Sequence, residues 1–440
     1  MNKIIYEHQY GFQSKKSTVH PMIHLLNKIT KADNDKEITI GVFCDLQKAF
    51  DCCSHSILSS KLRKIGVQNT ELKWFQNYLK NRKQFVNVND HNSDHCNIDK
   101  GVPQGSILGP LLFLIYINDI ATCTTLFTLL FADDTSFLIS GNSINEIVPV
   151  LNRELHKICY WFRANELSLH PLKTKVMIFT RNENNIDFED LNIVLNYNNY
   201  DENNPDLITK LGFINSSSET PAIKFLGVYL DPKLDFKYHI STIHKKISNS
   251  LYAIQIAKNH LNKDALKILY DSLIHCHINY CLPIWSCTSH TNLDKLFKLQ
   301  KKAIRLITKS RSDAHTIPIF KKEEILPIYK QAEFSKIIFM HDYSKDLTPI
   351  SFKDTWIRNT LRNSRSLRND NDLYVPYIRC KTRDIFPLKD FPSLWNEKGK
   401  NPQLTDCRTK KQFSSKLKNL LLEELEFNCS RDNCTECNIH

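Results

Sequence analysis

The chain has 440 residues and a mass of 51.4 kDa, with 41% hydrophobic and 24% charged side chains. These proportions exclude wholesale disorder and allow two or three domains, each able to bury a core. Only 10 residues are glycine, which excludes collagen-like and Gly-rich chains, and Lys plus Arg exceed Asp plus Glu by 59 to 47, a formal +12 that suits a polyanionic partner.

The opening segment MNKIIYEHQYGF lacks the long apolar stretch of a secretory signal. The 14 cysteines are therefore expected to stay thiols, and the protein to be intracellular, in nucleus or cytoplasm, and not secreted. A β-rich apolar run over 38–46 ends at Asp45, and helical patterns follow over 54–65 and 72–79. Residues 84–88 read as a short strand. Ser106 can cap, and Pro110 can open, an apolar helix over 106–117 that meets Asn118 and Asp119 too soon to span a bilayer.

Two apolar runs, 125–131 and 135–140, bracket Ala132, Asp133 and Asp134, which predicts a hairpin with two acids at its bend. Ile147, Val150, Leu151, Leu155 and Ile158 repeat at helical spacing within 143–166, and 173–179 returns as a strand. Ten Asn between 182 and 215 favour turns and a peripheral hairpin before the β signal resumes over 223–231. Beyond Asp235 the period is helical: Ile240, Ile243, Ile247, Leu251 and Ile254 share one face. A second stripe, Leu296, Leu299, Ala303 and Leu306, runs beside Lys298, Lys301, Lys302 and Arg305. The window 241–311 holds twelve basic and three acidic residues, 12 − 3 = +9. The last 130 residues show no clear period, and the chain has no internal repeat.

An Asp pair in a turn is ordinarily solvated, and an Asp ending a strand is ordinarily a terminator or cap. Three acids that converge from two neighbouring strand ends are different, because clustered carboxylates repel one another unless a hard divalent cation such as Mg²⁺ binds them. Two such ions about 4 Å apart can activate a 3′-hydroxyl and stabilise a leaving pyrophosphate. FCDLQKAFD (43–51), GVPQGSILGP (101–110), FADD (131–134), LSLHPLKTKVMIF (167–179) and KFLGVYLD (224–231) resemble, in order, the successive palm motifs of reverse transcriptases. The nearest resemblance is to non-LTR retrotransposons of the LINE and jockey-like kind. QYGFQSKKST (9–18), YLKNRKQFV (78–86) and FPSLWNEK (391–398) also resemble segments of these elements.

The resemblance implies an α+β polymerase right hand. An antiparallel palm sheet with packed helices and partial fingers would occupy 1–234, a basic helical thumb or connection 235–311, and a C-terminal region of unassigned, mixed fold 312–440. The implied activity is RNA-directed DNA polymerisation, joining deoxynucleoside triphosphates to a DNA primer on an RNA template with two Mg²⁺ (or Mn²⁺) ions. Asp45 and Asp133 would be the principal metal ligands, with Asp134 beside them. Phe50 would exclude a ribose 2′-hydroxyl, Gln104 and Gly105 would form the turn against template base and incoming nucleotide, and Lys173 would stand near the leaving pyrophosphate. Gly227 would mark the primer-grip hairpin. Lys245, Lys246, Lys298, Lys301, Lys302 and Arg305 would hold template and primer phosphates.

Each of these residues also has a plainer reading: core packing for Phe50, a loop for Gly105, an exposed strand-start Lys for Lys173, a bulge for Gly227 and a solvated face for the basic helices. Lys48 and His55 match family positions without a chemistry of their own, and His170 stands where Asn is more usual. Cys429, Cys434, Cys437 and His440 form C-x4-C-x2-C-x2-H, four ligands suited to tetrahedral Zn²⁺. Their order and spacing differ from the zinc knuckle of some relatives, and free thiols are the preferred reading. Such elements usually encode an endonuclease ahead of the polymerase. With 44 residues before Asp45, that nicking activity and part of the fingers are expected to be missing, as in an N-terminally truncated element. The alternative function is a catalytically inactive remnant that binds nucleic acid through its basic helices.

Overall fold

ITIGVFC, residues 38–44, is apolar almost throughout and is buried on both faces, the pattern of a strand with neighbours on each side. In the computed structural model, which describes residues 4–180, 186–188, 190–196, 208–361, 372–380 and 383–425, this segment is the middle strand of a five-stranded sheet. The chain divides into two compact units. The first comprises Met1–His24, Lys31–Leu226 and Pro349–Ser351; the second comprises Leu25–Thr30, Gly227–Thr348 and Phe352–His440.

The elements begin with helix α1 (Val19–Asn34), which is divided between the two units, and strand β1 (Ile38–Cys44). Helices α2 (His55–Lys64) and α3 (Asn69–Leu79) follow, then the short strands β2 (Arg82–Gln84), β3 (Asn87–Val88), β4 (His91–Asn92) and β5 (Cys96–Ile98). Next come helix α4 (Leu108–Ile117), strands β6 (Phe127–Phe131) and β7 (Asp134–Gly141), and helix α5 (Ile144–Ala164). Strands β8 (Lys175–Phe179), β9 (Val194–Asn196), β10 (Ile208–Lys210), β11 (Gly212–Ile214) and β12 (Ile223–Phe225) complete the first unit.

The sheet runs β11-β8-β1-β7-β6. β1 is antiparallel to both β7 and β8, and β6 is antiparallel to β7. An antiparallel sheet was expected, but β11 lies parallel to β8, so the sheet is mixed. The physical reason is the long connection after β8. It carries the expected Asn-rich hairpin, seen as β9 paired antiparallel with β10, and gives enough chain for the crossover that a parallel neighbour needs.

Ile147, Leu151, Leu155, Ile158 and Phe162 of α5 are buried with Val42, Phe137, Val176 and Ile178 of the sheet and with Phe113 and Tyr116 of α4 in one core. Two charged groups anchor this layer. Glu154 of α5 is almost fully buried and accepts hydrogen bonds from the Thr124 hydroxyl (2.9 Å), the Thr125 N–H (2.8 Å) and Lys157 Nζ (2.7 Å). Burial alone would raise its pKa, but these donors outweigh it and bring the carboxyl down to about 2, fixing α5 to the segment that enters β6. Lys61 of α2 donates to Asp119 Oδ1 at 2.6 Å and lies 4.7 Å from the Trp161 ring centre. The expected strand over 84–88 is instead split between β2 and β3, each in a small, exposed two-stranded pair.

Beyond α1, the second unit opens with β13 (Val228–Leu230), and the regular elements that follow among its described residues are helices. Its helices are α6 (Lys237–Ala257), α7 (Lys263–Tyr270), α8 (Cys276–Asn279), α9 (Leu282–Trp285), α10 (His290–Ile307), α11 (Thr316–Lys322), α12 (Ile328–Ser344), α13 (Pro387–Leu394), α14 (Pro402–Thr405) and α15 (Lys410–Glu423). The stripe on α6, from Ile240 to Ile254, is buried as its spacing predicts. On α10 the buried face is Leu293, Leu296, Gln300, Ala303, Ile304 and Ile307, and the expected Leu299 and Leu306 are only half-buried. Gln300 turns the helix: its amide donates to the Tyr270 hydroxyl and Leu326 carbonyl (both 3.0 Å) and accepts from the Ile328 N–H (2.9 Å). Among the described residues no helix is long and apolar enough to cross a membrane.

Candidate active site

Phe131 pairs with Asp134 across the β6-β7 hairpin, so Ala132 and Asp133 form a two-residue bend. Ala132 has φ +56°, the left-handed backbone that tight hairpin turns require. Cys44 pairs with Thr135 as the last pair of the β1-β7 ladder, so Asp45 follows the end of β1 at the level where Asp134 begins β7. The two strand ends therefore deliver three acids to one edge.

Asp45 is held by a different part of the chain. The His170 N–H donates to the Asp45 carbonyl (2.8 Å), the Asp45 N–H reaches Thr174 Oγ1 (3.5 Å), and the Gln47 N–H donates to the Ser168 carbonyl (2.9 Å). Lys173, in the same 168–174 turn, places Nζ 3.9 Å from Asp45 Oδ1, with both side chains open to solvent.

The acids sense one another. Asp134 is exposed as a residue, yet partial desolvation of its carboxyl, then Asp133, then Asp45 push it up from 3.8 to about 6. Asp133 is raised by burial and by Asp45, against a backbone hydrogen bond that lowers it. Oxygen-donor carboxylates brought close together are the kind of donor a hard cation such as Mg²⁺ takes. Among the described residues no three His, Cys, Asp or Glu side chains are already arranged to hold a metal ion, so the acids are neighbours and not a closed cage.

The 101–109 loop docks on residues 50–53, downstream of Asp45. The Gly101 N–H donates to the Cys53 carbonyl (2.7 Å), the Val102 N–H to the Phe50 carbonyl (2.9 Å) and Gln104 Nε2 to Asp51 Oδ1 (2.8 Å). His55 Nε2–H donates to the Gly101 carbonyl at 2.8 Å. Gly101 has φ +94°, and a Cβ there would meet the Asp51 backbone at 2.9 Å. Gly105 has φ +81° with open space where a side chain would be. Its need for glycine is thus conformational, and the space beside it is free. Phe50 is half-buried: its ring stacks on Phe113 (4.2 Å between centres, 23°) and meets the edge of Phe12 (6.1 Å, 87°).

The remaining predicted residues lie in the second unit or outside the described chain. Gly227 has φ +83°, and its close neighbour is the Tyr280 ring, 2.9 Å from where a Cβ would stand. Lys245 and Lys246 on α6, and Lys298 and Lys302 on α10, are exposed. Lys301 Nζ sits 4.8 Å above the Phe297 ring, and Arg305 Nε donates to the Ala314 carbonyl (2.8 Å). Cys429, Cys434, Cys437 and His440 lie outside the described residues. Sequence reasoning did not give Gln9, Asp51, His55 or Thr174 a role. His55 and the segment containing Gln9 stood out only through resemblance, and the partners of Gln9 and His55 are main-chain atoms that no side-chain pattern marks.

Comparison with known proteins places these features in context. Residues 1–230 match the family model described as reverse transcriptase (RNA-dependent DNA polymerase). The chain is 26% identical over 332 residues to the probable RNA-directed DNA polymerase from transposon BS of Drosophila melanogaster, covering 70% of this chain and 33% of that protein. It is 26% identical over 320 residues to the RNA-directed DNA polymerase from mobile element jockey of the same organism, covering 70% and 32%. The chain thus spans about a third of the length of the curated relatives it matches. A solved telomerase from Candida tropicalis, in complex with a TWJ fragment of telomeric RNA, is similar at 12% identity and a TM-score of 0.33, over 90% of this chain and 52% of that one.

Proposed function

Because this chain belongs to the reverse transcriptase (RNA-dependent DNA polymerase) family, we propose that it is the RNA-directed DNA polymerase of a non-LTR retrotransposon, acting inside the cell. The observation that carries the reading is the placement of Asp133 and Asp134 at the bend of the β6-β7 hairpin and of Asp45 just past the end of the neighbouring strand β1. In this reading the mixed sheet is the palm, and the basic helices from α6 to α10 are the thumb.

Asp45 and Asp133 would hold two divalent cations, Mg²⁺ or Mn²⁺, with Asp134 beside them. Such ions, when bound, supply activation of the primer 3′-hydroxyl and neutralisation of the pyrophosphate charge. The chain's own groups do the rest. Phe50, its ring stacked on Phe113, would exclude the 2′-hydroxyl and so favour deoxynucleoside triphosphates. The Gln104–Asp51 hydrogen bond fixes the 101–109 loop, and the open space at Gly105 admits the nascent base pair. Lys173, tethered near Asp45, is placed to give a proton to the departing pyrophosphate. RNA template and DNA primer phosphates would lie against Lys245, Lys246, Lys298 and Lys302.

Primer extension on a mixed-sequence RNA template with Mg²⁺, with Asp133→Ala as control, tests this. The reading predicts extension by the parent and a loss of at least about a thousandfold in the variant. Equal extension by both proteins contradicts it. Template binding without extension assigns the chain to the inactive nucleic-acid-binding remnant.

A further inference from the structure

Gln9 takes no part in the function just described, yet its side chain is completely buried. A buried amide is retained only where its donors and acceptors are met, and those of Gln9 are met at one place. Its Oε1 accepts from the Gly11 N–H (2.9 Å) and from the Ala132 N–H (2.9 Å), and its Nε2 donates to the Ala132 carbonyl (3.3 Å). Both main-chain groups of the residue before Asp133 are therefore held by one side chain. Ala132 is also the residue with φ +56°, a left-handed conformation that a Cβ disfavours and that surrounding contacts must maintain.

The neighbouring backbone is built to the same end. The Leu130 N–H donates to the His8 carbonyl (3.0 Å) and the Tyr10 N–H to the Leu130 carbonyl (2.8 Å), so residues 8–10 run parallel to the outer edge of β6. Where this segment crosses the bend the residue is Gly11. A Cβ there would overlap the Ala132 nitrogen and meet its Cα at 2.9 Å, so glycine is required for the approach. Lys16 Nζ donates to the Gln9 carbonyl (2.7 Å), which fixes the main chain of Gln9.

We infer that Gln9 is a positioning residue: its amide locks the left-handed bend at Ala132 and thereby aims the Asp133 carboxylate toward Asp45. The functional consequence rests on the polymerase reading, whereas the hold on Ala132 does not. A residue that merely filled space could be replaced by one of equal volume; a residue that holds the bend cannot, because the amide itself is needed.

Gln9→Met keeps the volume and removes the amide. Gln9→Asn keeps an amide that is one methylene too short to span both groups. Three experiments are run on the full chain: primer extension for kcat and KM, Mn²⁺ binding by electron paramagnetic resonance, and hydrogen exchange at the Ala132 amide. Both variants should lose at least about tenfold in kcat, with KM for deoxynucleotide and affinity for template and primer within about twofold. Mn²⁺ affinity should fall, and the Ala132 amide should exchange at least about tenfold faster while that of Leu130, bonded to His8, stays protected. Unchanged kcat with unchanged Ala132 exchange overturns the inference. If the parent extends no primer, the polymerase reading fails, and Ala132 exchange together with Mn²⁺ binding still decides the role of Gln9. If Gln9→Met does not fold, the kcat and exchange of Gln9→Asn carry the decision.

Discussion

Asp134 begins β7 with a carboxyl that burial and two neighbouring acids hold near 6 instead of 3.8. A pKa raised on folding means the ionised form is disfavoured in the folded protein. That cost is absent below about pH 4, where the group is protonated in both states, and is complete above about pH 6. A shift of this size corresponds to about 3 kcal/mol, and solvent access to the side chain reduces the expected effect to about 1 kcal/mol. Asp134→Asn should therefore raise the thermal midpoint at pH 8 in metal-free buffer and leave it unchanged at pH 4. Mg²⁺ should stabilise the parent more than the variant, because it binds only where the charges are present. An equal shift of midpoint at both pH values would mean that the acids do not repel. At Phe50 the packing and the proposed specificity share one ring. Phe50→Ala should cost about 1–3 kcal/mol through loss of the stack on Phe113. It should also raise ribonucleotide use relative to deoxynucleotide use by about tenfold or more in kcat/KM, and an unchanged ratio would remove Phe50 from the gate.

On α10 the basic residues are not equivalent. Lys298 and Lys302 are exposed, Lys301 lies over Phe297, and Arg305 is bonded to the Ala314 carbonyl. Replacing Lys298 and Lys302 together by Gln should flatten the logarithmic salt dependence of template and primer binding by about two units, whereas Arg305→Gln should chiefly lower stability. A salt slope unmoved by the double replacement would mean that these lysines serve only solubility. The same helix marks how far elements could be read from sequence. The strand at β1, the acidic hairpin, α5 and the buried face of α6 follow from apolar periodicity, because their buried positions are apolar. The face of α10 was displaced because Gln300, a polar residue, is buried through three hydrogen bonds that no periodicity reveals. The helices after Thr316 lacked a readable stripe for a related reason. Their packing uses aromatic residues and prolines, as in α13 with Phe391 and Pro392, and ion pairs such as Lys398 with Glu333 and Glu424 (both 2.7 Å). In the candidate site, Asp45, Asp133, Asp134 and Phe50 were legible through motif order. Gln9 and His55 were not, since each acts on a backbone group far away in sequence.

Across the whole chain the charge is uneven: of the formal +12, residues 241–311 carry +9, leaving 12 − 9 = +3 for all the rest. Basic charge is thus concentrated in the helical second unit, and the acids of the candidate site in the first. That separation suits the proposed polymerase, in which one part would hold phosphates and another perform the transfer. The proposed chemistry requires Asp45 and Asp133 to share divalent ions. Anomalous diffraction from crystals of the full chain soaked with Mn²⁺, in the presence of template, primer and an unreactive deoxynucleotide analogue, measures this directly. Mn²⁺ is expected at about 2.0–2.6 Å from carboxylate oxygens of both Asp45 and Asp133. Mn²⁺ bound elsewhere, or carboxylates of these two residues more than about 10 Å apart, beyond the span of two ions, would contradict it.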